Sequence, residues 1–153
     1  MKKKVKEPRA RQFMYVQDLD HLKVKEDDLS DILNKSGALE WVYINHDKDP
    51  KKDEDGKIIR PHIHVVLKYE NPQKVSTVAN LFKDQSQYVD VWKGRIANAY
   101  SYLLHETEEA REQGKHVYKA SEAVASFDFP ARMKSIRAKI TKSPKCISSL
   151  VDQ

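Results

Sequence analysis

Cysteine is almost absent from this sequence. Its 153 residues include only Cys146, which cannot form an internal disulfide, so a disulfide framework and a cysteine-rich zinc scaffold are both excluded. There is no apolar run near the roughly 20 residues of a membrane-spanning helix. Met1 and the lysines after it are not followed by an apolar signal segment. We therefore expect a cytoplasmic protein in a reducing compartment, with no membrane partner.

Charge is plentiful but unevenly distributed. Lys and Arg number 28 against 23 Asp and Glu, which gives a net charge of +5. Residues 1–11 and residues 131–153 each carry six bases and one acid, so the segment 12–130 has a net charge of −5. Solvated ends explain this pattern as well as a nucleic-acid partner does. We predict a basic tail over 1–11, one domain over 12–130, and a basic helix and tail over 131–153.

The hydrophobic pattern predicts alternating strands and helices. β-branched and aromatic residues concentrate in four segments that we predict as strands: 12–18, 40–45, 61–69 and 88–92. Apolar residues at helical spacing predict helices over about 26–36, 76–84, 95–112 and 131–140. The order β-α-β-β-α-β-α is typical of the ferredoxin-like, split β-α-β plan. We expect an α+β fold whose antiparallel sheet has helices on one face and leaves the other free for a ligand.

Two histidines lie in the clearest predicted strand. His62 and His64 are two positions apart, so their side chains project from the same face. His46 follows the preceding strand, and antiparallel pairing would bring it beside them, with Asp47 or Asp49 at the rim. Imidazole and carboxylate ligands without thiolates suit Mn²⁺, Co²⁺, Zn²⁺ or Mg²⁺. The alternatives are ordinary surface histidines, a solvent-facing turn position for His46, and turn-forming roles for the aspartates.

The helical segment after the last strand contains Tyr100 and Tyr102. On a helix these two positions point about 200° apart, so only one of them can face the sheet. Tyrosines on apolar helices are usually core residues, and spacing alone does not identify a nucleophile. Trp92, at the end of the last predicted strand, is either a core aromatic or a stacking surface for an unpaired base.

Three segments together resemble the HUH endonuclease superfamily. The resemblance is closest to the rolling-circle replication initiator (Rep) proteins of small plasmids that use a single catalytic tyrosine. It extends from about residue 11 to residue 129 and rests on His46-Asp47-Lys48-Asp49, His62-Ile63-His64 with Val65-Val66-Leu67, and Tyr100-Ser101-Tyr102-Leu103-Leu104-His105-Glu106. It implies that His46, Asp49, His62 and His64 bind a divalent metal. Mn²⁺ is the expected ion, with Mg²⁺, Co²⁺ and Zn²⁺ as alternatives.

The resemblance also implies distinct roles for the two tyrosines. Tyr102 would be the nucleophile that nicks one strand at a plasmid origin, leaving a 5′-phosphotyrosine and a free 3′-hydroxyl, while Tyr100 packs in the core. Because the covalent bond conserves the energy of the phosphodiester, strands could be rejoined without ATP. His105 and Glu106 match the motif without a firm role. His105 lies one turn beyond Tyr102 and could orient it or simply pack.

The partners implied are origin DNA, single-stranded at the nick and duplex nearby, and the replication machinery of a bacterial host. Candidate DNA contacts are basic residues that flank the predicted metal site and the nucleophile helix: Lys51, Lys52, Lys57, Arg60, Lys93 and Arg95. Relatives often carry a C-terminal oligomerisation or helicase region, so residues 131–153 could begin a truncated one, through which an oligomer could form. An HUH-type relaxase or transposase and a non-catalytic origin-binding protein remain the alternative functions.

Overall fold

The computed structural model describes residues 7–48 and 55–141. The strands in these ranges are β1 (Arg9–Asp18), β2 (Glu40–His46), β3 (His62–Lys74), β4 (Val89–Val91) and β5 (Val124–Ala125). The α-helices are α1 (Leu29–Asn34), α2 (Val75–Leu81), α3 (Ile96–Leu103), α4 (Glu108–Glu112) and α5 (Phe129–Thr141). Short 3₁₀ helices lie at Leu19–His21, Glu26–Asp28, Ser86–Tyr88 and Ala120–Glu122. No helix in the described ranges has the length and apolar character needed to cross a bilayer.

The five strands form one antiparallel sheet in the order β4-β1-β3-β2-β5. The central strand β3 pairs with β1 on one side and with β2 on the other. Because both neighbours run antiparallel to β3, β1 and β2 are parallel to each other with β3 inserted between them, which is the split β-α-β arrangement. The predicted α+β fold with an antiparallel sheet is confirmed.

One face of the sheet is covered by α1 and α2. Alternation along β3 directs Ile63, Val65 and Leu67 to this face, where they share a core with Leu33 of α1 and Val78 of α2. All five side chains are fully buried. The apolar stripes predicted for these two helices therefore lie in the core, as expected for amphipathic helices on a sheet.

The other face is partly covered by α3 and α5, which corrects the expectation that helices lie on one face only. Val66 of β3 and Val42 of β2 share a second core with Leu103 of α3 and Met133 of α5. Met133 and Ile136 of the predicted basic helix thus belong to the core and are not a free surface. Beyond this second core, at the end of the same face, His62 is partly exposed.

The predicted helix over 95–112 is wrong in one respect, because the chain forms two helices there. His105 has a φ of 58°, which lies in the left-handed region that residues other than glycine rarely adopt. Its amide donates to the Tyr102 carbonyl at 3.1 Å, and the Glu106 amide donates to the Ser101 carbonyl at 3.0 Å. This pair of bonds is the Schellman pattern that ends a helix. It turns the chain immediately after the predicted nucleophile.

Candidate metal and nucleophile site

Three histidines converge at the end of the central strands. His46 lies opposite His62 in the β2–β3 register, and His64 lies opposite Ile44. One ring nitrogen from each histidine lies within 4.8 Å of the others, so the group could hold a metal ion. Strand pairing therefore brings together the three histidines that the sequence singled out. Asp49, the predicted fourth ligand, lies outside the described residues.

His46 is a buried strand residue, which contradicts the alternative of a solvent-facing turn position. It ends β2 and is only 1% exposed. Its Nε2 is 2.6 Å from the carbonyl oxygen of Leu103 and donates to it, which leaves the lone pair on Nδ1. Burial lowers the pKa of His46 to about 3, with smaller contributions from His105 and His62. The ring is therefore neutral at pH 7, as a metal ligand must be.

The other two histidines also present ring nitrogens suited to a metal. His62 donates from Nδ1 to the carbonyl oxygen of Arg60 at 2.8 Å, so its Nε2 is the ligand atom. His64 Nδ1 is buried and has no hydrogen-bond partner within the described ranges. Burial also lowers the pKa of His64 well below its ordinary value. A buried polar nitrogen without a partner is costly, and a bound cation would remove that cost, so these residues fit a metal ion.

Tyr102 lies beside this histidine group. Its ring centroid is 5.7 Å from that of His64, and the side chain is 37% exposed. It occupies the second-last position of α3, just before the left-handed turn at His105. Burial raises the pKa of Tyr102, and the charges of Asp90 and Glu109 raise it further. The hydroxyl is consequently a neutral phenol at pH 7 in the metal-free chain.

Tyr100 has a different environment and packs in the core as predicted. It is fully buried, and its hydroxyl donates to Glu40 at 2.7 Å. Arg132 of α5 holds the same carboxylate through two hydrogen bonds of 3.1 and 2.7 Å. Burial, and then the bond to Glu40, raises the pKa of Tyr100. Its hydroxyl therefore joins β2, α3 and α5 and is not available to a phosphate.

His105 and Tyr118 complete the wall behind His46. The His105 ring centroid is 4.3 Å from that of His46, and its Nδ1 donates to the His116 carbonyl at 2.8 Å. The Tyr118 ring stacks on His46 at 4.5 Å with an interplanar angle of 11°. Its hydroxyl accepts a hydrogen bond from the Lys48 amide at 2.9 Å. Sequence reasoning missed Tyr118, because the segment before it has no periodic pattern that would indicate which way its side chain points.

An open cleft lies beside His62 on the β1 side. It has a volume of about 530 Å³ and is lined by His62 together with Val16, Asp18, His21 and Tyr88, among others. Asp18 is one acidic residue that lines the cleft. Asp90 is the other, and its side chain is exposed.

The predicted DNA contacts fall into two groups. Lys51 and Lys52 lie outside the described residues. Lys57, Arg60, Lys93 and Arg95 are all exposed. Arg60 provides the carbonyl that orients His62, and Lys93 and Arg95 flank the turn between β4 and α3. Their contact with DNA stays a prediction.

Comparison with known proteins agrees with this geometry. The chain is an α+β domain with three histidines at one end of its sheet that could hold a metal ion. Residues 5–130 match the family described as plasmid replication protein, origin binding domain, and the chain belongs to that family. The histidine group is consistent with the metal site of an HUH protein.

A relative in the onion yellows phytoplasma (strain OY-M) is described as a replication protein. It is 31% identical over 104 residues, and the match covers 62% of this chain and 26% of the relative. The chain thus spans about a quarter of the length of this curated relative.

Proposed function

We propose that the chain nicks and rejoins single-stranded DNA at a plasmid rolling-circle origin, with Tyr102 as the nucleophile. The observation that carries the proposal is the contrast between the two tyrosines of α3. Tyr102 is partly exposed and 5.7 Å from His64, whereas Tyr100 is buried and bonded to Glu40. Membership of an origin-binding family supplies the substrate class.

In the proposed reaction the Tyr102 oxygen attacks the scissile phosphorus. A new P–O bond to tyrosine forms while the bond from phosphorus to the 3′ oxygen breaks. The proton that Tyr102 loses is balanced by the proton that the departing 3′ oxygen gains. The reverse attack by a 3′-hydroxyl rejoins the strand, because the phosphotyrosine retains the diester energy.

His46, His62 and His64, with Asp49 as the proposed fourth ligand, would hold the divalent ion, and Mn²⁺ is our first choice. When bound, the ion would supply Lewis-acid polarisation of the scissile phosphate and positive charge that favours the tyrosinate. The need for that charge follows from Tyr102 itself, since its surroundings raise its pKa above the ordinary value of 10.0. His46 and the buried ring of His64 are neutral and so remain competent ligands across the neutral pH range.

A covalent-adduct assay tests this proposal. Single-stranded oligonucleotides that tile the plasmid origin are incubated with the chain and Mn²⁺, then denatured and separated by size. We expect an adduct with the wild type and none with Tyr102→Phe. Tyr100→Phe is the matched control: it should still form the adduct, although with lower stability because the bond to Glu40 is lost.

The outcomes separate the candidate functions. An adduct that persists in Tyr102→Phe and disappears in Tyr100→Phe would contradict the assignment of the nucleophile. Specific binding without any adduct, over the whole origin, would favour a non-catalytic origin-binding protein. Cleavage of a conjugative transfer origin or a transposon end in preference to a replication origin would favour a relaxase or transposase.

The proposed reaction also implies protein partners that act after the DNA has been nicked. A free 3′-hydroxyl would prime a polymerase of a bacterial host, so the replication machinery is the expected partner in the cytoplasm. Because the chain corresponds to about a quarter of the phytoplasma protein, assembly through a further C-terminal region belongs to the same proposal.

A further inference from the structure

Trp92 occupies a position next to the proposed nucleophile that the reaction itself does not use. Its ring centroid is 6.0 Å from that of Tyr102. Tyr102 therefore has His64 and Trp92 as ring neighbours. The Trp92 side chain is partly exposed and packs against the second core. A strand whose phosphate lies at Tyr102 would bring its neighbouring nucleotide close to this ring.

The indole is held in position by the protein. Its Nε1 donates to the Arg95 carbonyl at 3.0 Å, and the Trp92 amide donates to the Gln12 carbonyl at 2.9 Å. The Gln12 side chain donates in return to the carbonyls of Trp92 and Gly94, at 3.2 and 2.8 Å. The ring therefore needs little ordering when a ligand arrives, and a preorganised surface loses less entropy on binding.

Two cations follow Trp92 closely in the chain, and the acids Asp90 and Glu109 lie near enough to act on Tyr102. Lys93 and Arg95 are exposed on either side of Gly94, and no ion pair with an acid of the described ranges involves either of them. Proteins that bind single strands combine such cations with aromatic rings on which bases stack. The chain's other tryptophan, Trp41, is buried in the first core and bonded to Asn34, so the exposure of Trp92 is not a general feature of its tryptophans.

We propose that Trp92 is a stacking surface for one unpaired nucleobase next to the phosphate at Tyr102. The inference rests on the proposed function for the position of the strand, but not on cleavage. The ligand class is any base in a single strand, because every base offers a π face and stacking requires no sequence readout. Lys93 and Arg95 bind the phosphates that flank this base.

Intrinsic fluorescence tests the inference with a cleavage-dead chain. The probe is single-stranded oligothymidylate added to Tyr102→Phe in Mg²⁺, and the matched probe is an abasic strand of the same length. We expect the thymidylate strand to quench tryptophan emission and the abasic strand to bind without quenching. Adding Trp92→Phe should remove the quenching, because the remaining emitter, Trp41, is buried on the opposite face.

Affinity provides the second readout. Trp92→Leu should weaken thymidylate binding by about 5- to 150-fold and leave binding of the abasic strand nearly unchanged. Trp92→Phe, which keeps an aromatic ring, should recover part of the affinity, and thermal melting shows that both variants are folded. Quenching that persists in Trp92→Phe, or equal losses for both strands, overturns the inference. Failure of the covalent-adduct assay would instead affect only the proposed catalysis.

Discussion

At the scale of single residues, His46 and His64 combine burial with a basic ring. The unfolded chain protonates both near pH 6.5, whereas burial lowers the pKa of His46 to about 3 and that of His64 well below its ordinary value. Below pH 6.5 the unfolded state therefore binds more protons than the native state. The stability that these two neutral histidines contribute is therefore fully present above their unfolded-state pKa. It is lost as the pH falls toward their lower pKa values in the native state.

The first prediction concerns this loss in the metal-free chain. In chelator, the free energy of unfolding should fall between pH 6.5 and 5 by up to about 1.4 kcal/mol per pH unit for each buried histidine. Urea titrations across that range measure the slope. His64→Gln should flatten it, while His21→Gln, at an exposed position, should leave it unchanged. Equal slopes for both variants and the wild type would contradict the buried neutral histidines.

Asp84 is a buried residue with a structural role on the opposite face. Its carboxylate accepts hydrogen bonds from Tyr15 at 2.6 Å, Gln17 at 2.9 Å and Lys23 at 2.8 Å. Burial alone would raise the pKa of Asp84, but these partners outweigh it and hold the pKa below the ordinary value of 3.8. The carboxylate joins the end of β1 to the loop that borders the cleft at His62.

The second prediction is that Asp84→Asn destabilises the fold by about 2–4 kcal/mol, because buried donors lose a charged acceptor. Chemical denaturation at pH 7 measures the change. The difference between wild type and variant should shrink progressively as the pH falls below about 3.8, because protonation of Asp84 in the unfolded chain then offsets the gain from its ionised form in the native state. Asp20→Asn, at an exposed position, is the control. A similar loss in both variants would contradict a special role for Asp84.

At the scale of elements, the end of β2 is fixed by a contact from far along the chain. The Tyr118 ring stacks on His46, and its hydroxyl accepts from the Lys48 amide. The same tyrosine donates its own amide to the Leu104 carbonyl at the end of α3. One residue thus links the strand that carries the proposed ligand His46 to the end of the helix that carries Tyr102. Groups that orient metal ligands contribute to metal affinity in general.

The third prediction follows from that link. Tyr118→Phe keeps the ring but removes the acceptor for Lys48, and we expect about tenfold weaker Mn²⁺ binding with little change in fold. Isothermal titration calorimetry measures the affinity. Tyr69→Phe is the matched control, since Tyr69 lies seven residues along β3 from His62 and packs in the first core. Unchanged Mn²⁺ affinity in Tyr118→Phe would show that its hydroxyl does not help to position the site.

Four of the five described strands and the histidine group could be predicted from the sequence because they follow local rules, whereas the two-residue β5 was missed. Period-two alternation places His62 and His64 on one face, and antiparallel pairing adds His46. The break at His105 could not be predicted, since its φ of 58° accompanies bonds from its amide to Tyr102 and from its ring to His116 rather than a helix-breaking residue. The position of Tyr118 depends on stacking against His46 and on a hydrogen bond from Lys48 that spans 70 residues of chain. Likewise, α5 covers the second face through tertiary contacts that charge alone did not reveal.

At the scale of the whole molecule, the net charge of +5 is a weak guide to the partner, because it arises at the two ends of the chain. In the described part of the chain, two positive charges lie near the proposed nucleophile, because Lys93 and Arg95 follow Trp92 closely. Phosphate contacts of this kind release counterions, so they make binding dependent on salt. The strength of that dependence reports how many contacts are made.

The fourth prediction uses this dependence. For a single strand, Arg95→Ala should lower the slope of log affinity against log salt concentration by about 0.7, the share of one phosphate contact. Fluorescence anisotropy of a labelled strand at several salt concentrations measures the slope. Lys35→Ala removes an exposed charge at the end of α1, on the opposite face, and should leave the slope unchanged. Equal slopes for both variants would contradict a contact between Arg95 and a DNA phosphate.

The central claim is that Tyr102, and not Tyr100, becomes joined to DNA. Trypsin should release both tyrosines in the single peptide 96–111, because the chain has arginine at 95 and at 111 and no lysine or arginine between them. After reaction with an origin strand and nuclease trimming, fragmentation of this peptide by tandem mass spectrometry locates the attached nucleotide. The account predicts a nucleotide 5′-phosphate on Tyr102. A nucleotide on Tyr100, or on a residue outside this peptide, would contradict it.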